Sequence, residues 1–151
     1  MKNREIIENL IGTELTEGTI QSYYYKSELI NLVFKTYLKF ENKWIEIVST
    51  DEMTFIRLSD ENIANYKEYG NEEFKYTCNP FSRIYPEFNN YIGKKLLNIK
   101  EIVKLEDESL SFGITLNFSE NLYLTIFNHD YPKDENEILF AKLNKTEYKE
   151  L

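Results

Sequence analysis

Between residues 29 and 40 apolar and polar positions alternate. Leu32, Phe34, Leu38 and Phe40 fall on one side of an extended chain, and Lys35, Tyr37 and Lys39 on the other. A period of two predicts a strand with one buried and one wet face, as in an antiparallel sheet. The same reading predicts strands over 19–25, 29–40, 43–49 and 54–58, then over 95–105, 110–118, 122–128 and 137–143. Short polar links, Glu41-Asn42, Glu106-Asp107-Glu108 and Ser119-Glu120-Asn121, read as hairpin turns. Helical spacing is confined to two places. Ile6, Ile7, Leu10 and Ile11 form one apolar stripe in a helix over 2–11, and Gly12 stands where a C-cap glycine belongs. Pro86 and Gly93 bracket a second, shorter helix.

These elements fall into two matched series. Asn9-Leu10-Ile11-Gly12 is answered by Asn90-Tyr91-Ile92-Gly93. The pattern L-x-F-x-x-x-L-x-F occurs over 32–40 and again over 110–118, and Trp44-Ile45-Glu46-Ile47 is answered by Tyr123-Leu124-Thr125-Ile126. The offsets are 81, 78 and 79 residues, a drift that differing loop lengths explain. The expected fold class is therefore α+β, mainly antiparallel β: two helix-plus-four-strand meander repeats packed as a sandwich or open barrel. One domain covers 1–151, with a first repeat at 1–58, a linking segment at 59–85, a second repeat at 86–143 and a polar tail at 144–151. Within the link, Ser59-Asp60-Glu61-Asn62 reads as a helix N-terminus, Gly70 as a stop and 73–78 as one more strand.

Composition narrows the classes. An aromatic content of 15% excludes a disordered chain. One cysteine, Cys78, excludes a disulfide scaffold, and no run of about 18 apolar residues suggests a membrane span. Glu5 and Glu8 interrupt any apolar leader, so a reducing cytoplasm is the expected compartment. Fifteen lysines against three arginines, with sixteen asparagines, suggest an AT-rich bacterial genome. The net charge of −8 opposes direct nucleic-acid binding.

Candidates for chemistry are few. His129, the only histidine, stands among Asp130, Asp134 and Glu137, but extended neighbours point apart, and Pro132 marks a solvated turn. Cys78 has no base near it in sequence and reads as a small buried apolar residue. Phosphate loops and zinc-ligand spacings are absent. No catalytic residue, metal site or cofactor is expected. Tyr23-Tyr24-Tyr25 suits either a sheet core with its rim or an interface.

The charge is the most informative feature. Residues 106–137 hold eight acids against one lysine, Lys133, while the rest of the chain is nearly balanced. In a meander, the turn at 106–108 and the loop at 130–137 lie at the same end of a sheet. Glu106, Asp107, Glu108, Asp130, Asp134, Glu135 and Glu137, with Tyr131 as the aromatic anchor, form the expected partner-binding surface. The matching turns of the first repeat, with Lys26, Glu28, Asp51 and Glu52, carry a weaker field. Gathered like charges repel, and a basic partner offsets that repulsion.

In its small size, acidity, Lys/Asn/Ile-rich composition, β pattern and lack of catalytic motif, the chain resembles the immunity proteins of bacterial toxin systems, including contact-dependent inhibition. That resemblance implies a basic cognate toxin, such as a nuclease, neutralised through the acidic surface. The layout also resembles Whirly-type single-stranded DNA binders, an activity the charge opposes. A second expectation is a small-ligand-binding β-protein, with Trp44, the tyrosines and the phenylalanines lining a cavity. An enzyme working with carboxylates alone ranks last and needs two of them buried in one cleft.

Overall fold

The computed structural model describes residues 1–60 and 65–151. The chain is mainly antiparallel β in two sheets. The first contains β1 (Leu15–Tyr25), β2 (Glu28–Phe40), β3 (Lys43–Thr50), β4 (Met53–Ser59), β5 (Glu68–Gly70) and β6 (Phe74–Pro80), in the order β4-β3-β2-β1-β6-β5. The second contains β7 (Leu96–Lys104), β8 (Ser111–Phe118), β9 (Leu122–Asn128), β10 (Asn136–Leu139) and β11 (Tyr148–Glu150), in the order β10-β9-β8-β7-β11. The linking segment thus supplies two strands of the first sheet, β6 pairing with β1 along Thr19 to Tyr25. The polar tail supplies the fifth strand of the second sheet, on β7. The helix start expected at Ser59-Asp60-Glu61-Asn62 has Ser59 as the last residue of β4, and its Glu61 and Asn62 lie outside the described residues.

The helices are shorter than the sequence pattern suggests. The first spans only Arg4–Glu8. Lys2 is drawn into a bridge with β4 instead: its N–H donates to the Thr54 carbonyl (2.8 Å) and its carbonyl accepts from Ile56 N–H (3.1 Å). After Phe81–Ile84, one turn of α-helix, Pro86–Tyr91 forms a 3-10 helix with Pro86 at its start. Three residues per turn put Phe88 and Tyr91 on one side, and both are buried.

The sheets enclose one apolar core. Leu38, Phe40, Ile45, Ile47 and Ile56 from the first meet Ile99, Ile114, Leu116, Phe118, Leu124 and Ile126 from the second. Phe40 and Phe118 stack at 6.2 Å, and Tyr91 meets Phe118 edge-on at 5.5 Å. The starts of β1 and β7 join through reciprocal backbone bonds. Gly12 N–H donates to Leu96 O (2.7 Å) and Gly93 N–H to Leu15 O (2.8 Å). Leu15 N–H donates to Lys94 O (3.0 Å) and Leu96 N–H to Thr13 O (3.0 Å). Gly12 and Gly93 both take positive φ, +91° and +79°, which glycine adopts without strain.

One expectation about faces is corrected. Leu38 and Phe40 face the core, but Leu32 is exposed and Phe34 packs on the outer face against Tyr23 (5.7 Å) and Tyr76 (5.6 Å). The β1–β2 register shifts between Gln21/Lys35 and Tyr23/Asn31, and the extra residues of β2 reverse its faces, turning Val33 inward. A shift between Ile102/Gly113 and Val103/Ser111 does the same in the second sheet. Phe112 therefore leaves the core and packs with Ile102, Phe127, Leu143 and Tyr148.

Phe118→Ala should accordingly lower stability by about 3–5 kcal/mol in denaturant titration, because it empties the centre of the shared core. Phe34→Ala, on the half-covered outer face, should cost clearly less.

Candidate functional site

The acidic end is built by the turn between β7 and β8, the loop between β9 and β10, and a third element, the turn between β3 and β4. Ser111 N–H donates to the Glu52 carbonyl (2.8 Å), and the Asn128 side-chain amide donates to the Ser49 carbonyl (3.0 Å). These bonds pin the β3–β4 turn of one sheet against the other. Asn128 Nδ2 also lies 3.2 Å from Asp134 Oδ1 and 3.1 Å from Asn136 Oδ1, and Thr50 Oγ1 donates to Asp134 Oδ2 (3.4 Å). A cleft of about 230 Å³ results, lined by Asp51, Glu52, Phe112, Asn128, Asp130, Tyr131 and Asp134. Tyr131 is 87% exposed at its edge.

The field here differs from a simple count of acids. Lys104 Nζ donates to Asp130 Oδ2 (2.5 Å), and Tyr131 N–H donates to Asp130 Oδ1 (2.8 Å). The lysine bond, with a smaller contribution from the backbone, holds the Asp130 carboxyl below the usual carboxylate range. The same contact holds the Lys104 ammonium above its ordinary value. Asp107 is folded onto its own turn, accepting from the hydroxyl (2.6 Å) and N–H (3.0 Å) of Ser109, which lower its pKa. Glu108 accepts from Lys149 of β11.

The expected surface is therefore divided. Asp130, Tyr131 and Asp134 share the cleft, and Asp51 and Glu52 join them rather than marking a separate, weaker end. Glu106 lies on another cleft with Lys104, Leu105, Thr146 and Glu147. Glu135 and Glu137 line a third, opposite Leu29, Ile30 and Leu32. Sequence counting missed Asp51 and Glu52 because their position depends on how the sheets pack. It missed Lys149 as a partner because β11 carries too few residues to signal a strand, and Lys104 because the contact of β7 with the β9–β10 loop is set by the packing of the sheet.

The other candidates are occupied. His129 Nε2 is 2.8 Å from Glu137 Oε2, and its ring meets Phe127 edge-on. Cys78 is buried in β6 with its sulfur 3.7 Å from Gln21 Nε2, and burial pushes its thiol pKa up. Tyr23 and Tyr25 join Phe34, Phe74 and Tyr76 on the outer face of the first sheet. Glu46, which no sequence pattern singles out, is a carboxylate only 8% exposed on that face. It accepts from Lys35 (3.0 Å), Tyr37 (3.1 Å) and Arg57 (3.3 Å). Burial, then the Glu46 charge, pushes the Tyr37 phenol far up. Among the described residues, no group of three or more His, Cys, Asp or Glu is set to hold a metal ion, and no helix is long and apolar enough to cross a membrane.

No protein-family model matches the chain, and no curated protein or solved structure matches it.

The Lys104–Asp130 contact carries a pH signature. A carboxylate with a depressed folded pKa contributes stability above its unfolded pKa, about 3.9, and loses it as pH falls through the folded value. The stability difference between the wild type and Asp130→Asn should be constant near neutrality, shrink below pH ~4 and vanish at lower pH. Urea titrations across that range check it.

Proposed function

We propose that the chain is an immunity-type protein that binds and neutralises a basic cognate toxin in a bacterial cytoplasm, with a nuclease as the target whose chemistry fits. The observation that carries this reading is the cleft lined by Asp51, Glu52, Asp130 and Asp134, with the exposed ring of Tyr131 at its edge. A nuclease presents lysines and arginines to its phosphate substrate. These carboxylates offer those cations the charge they would otherwise find on nucleic acid, and the stiff tyrosine beside them supplies an aromatic contact. The net charge of −8 speeds encounter with a cationic partner and repels nucleic acid itself.

The interior supports a protein partner over a small ligand. The aromatic rings expected around a ligand cavity stack on one another, Phe81 on Phe88 at 4.0 Å and Phe40 on Phe118 at 6.2 Å. Catalysis has no part in this reading, since His129 and Cys78 hold neighbours suited to structure. Architecturally, we read the chain as two related helix-and-meander units. The reciprocal bonds at Gly12 and Gly93, and the matched face reversals before Leu38 and Leu116, support that reading.

The partner should be recovered from the host by pull-down and identified by mass spectrometry as a basic protein. Reversing Asp51, Glu52, Asp134 and Glu135 together to lysine should slow its association about tenfold or more in low salt and flatten the dependence on salt. Reversing Glu14 and Glu41, exposed where the chain enters β1 and where β2 turns into β3, should do less. A combined variant that stays folded by thermal melting and associates at the wild-type rate overturns the reading. Cys78→Ala should leave protection against the toxin intact; a large loss in a folded variant would return chemistry to that position.

A further inference from the structure

β2 is longer than the strand beside it. β3 pairs with it only from Thr36 onward, so residues 28–35 pair with β1 on one side and, among the described residues, with no strand on the other. Residues 29–33 line a cleft of about 420 Å³. One wall is β2 itself, where Leu29, Ile30 and Leu32 are 48%, 45% and 42% exposed. The other wall is the end of the β9–β10 loop and the start of β10, with Glu135, Glu137 and the His129–Glu137 pair, and Tyr85 also lines the cleft. Asn136 Nδ2 reaches the Phe34 carbonyl (3.4 Å), where β10 meets β2.

Three apolar side chains left in water on an unpaired strand edge are an unusual combination, because such an edge is a template for another strand. Natural edges are commonly blunted by charge or proline, and 29–33 reads Leu-Ile-Asn-Leu-Val. The facing wall selects the occupant by charge. The lining of this cleft carries Glu135 and Glu137 and no lysine or arginine. A second copy, at −8, would bring the same carboxylates together and is disfavoured.

We propose that this cleft receives an extended segment of the cationic partner. The segment adds to the open edge of β2, with apolar side chains against Leu29, Ile30 and Leu32 and lysines or arginines against Glu135 and Glu137. This rests on the reading of a basic partner and extends its footprint from the Tyr131 cleft to the β1–β2 hairpin. Backbone pairing supplies affinity in such an arrangement, and the flanking side chains supply choice.

The test uses the whole protein and a capped hexapeptide of alternating valine and lysine as probe. Amide shifts in a nitrogen-15 titration should saturate and concentrate on 28–33 and 135–137. Two further peptides carry N-methyl groups on alternate residues, one blocking each edge of the added strand. One should bind like the parent and the other about tenfold or more weakly, since only one edge faces β2. The exposed triple variant Leu29→Ser, Ile30→Ser, Leu32→Ser should weaken the parent peptide about tenfold. Equal binding of the two methylated peptides, or shifts confined to 51–52 and 130–134, overturns strand addition at β2. Shifts in 28–33 that follow protein concentration without peptide show a second copy on the edge and also overturn it. The reading of the toxin partner stands or falls separately, on the association rates of the charge-reversed protein.

Discussion

The arrangement depends on one junction, where the chain entering β1 meets the chain entering β7. Backbone donors and acceptors of each entry segment satisfy the other: Gly12 with Leu96, Gly93 with Leu15. The two glycines let the chain turn at the one place where both sheets begin. Once these bonds are made, β2 and β8 follow in mirrored positions, and Phe40 and Phe118 come face to face. The inner faces of the meanders then have nowhere to go but against each other.

The opposite end of the molecule inherits its chemistry from that packing. The β3–β4 turn reaches the β9–β10 loop because the sheets lie face to face, and Asn128 and Ser111 hold it there. Carboxylates from the two halves of the sequence thereby line one cleft. Lys104 and Lys149 take Asp130 and Glu108 into ion pairs, so the free charge is carried chiefly by Asp51, Glu52, Asp134, Glu135 and Glu106. Exposed ion pairs of this kind add little to stability, but they decide which carboxylates can meet a partner.

Strands were legible in the sequence wherever alternation ran unbroken, and β9 falls at 122–128 as its pattern predicts. Alternation could not reveal where it breaks. The reversals that send Phe34 and Phe112 to the outer faces arise from extra residues opposite a partner strand, and a strand read alone carries no record of its register. The sequence suggests a longer first helix because its apolar stripe continues through Leu10 and Ile11, while Lys2 is claimed by a bridge to Phe55, more than fifty positions away. In the acidic end, the turn and the loop were legible as charge runs. Asp51 and Glu52 were not, because two acids in a turn look the same whether or not another sheet stands beside them.

The junction also orders events during synthesis. The first sheet can be completed once β6 has left the ribosome, yet the face bearing Leu38, Phe40 and Ile45 has no cover until β8 and β9 emerge. For the time needed to add about forty residues, at roughly 5–20 residues per second, the nascent chain carries an apolar sheet open to water. Rare codons or a pause between 80 and 110 would lengthen that exposure, and the same delay upstream of residue 28 would not.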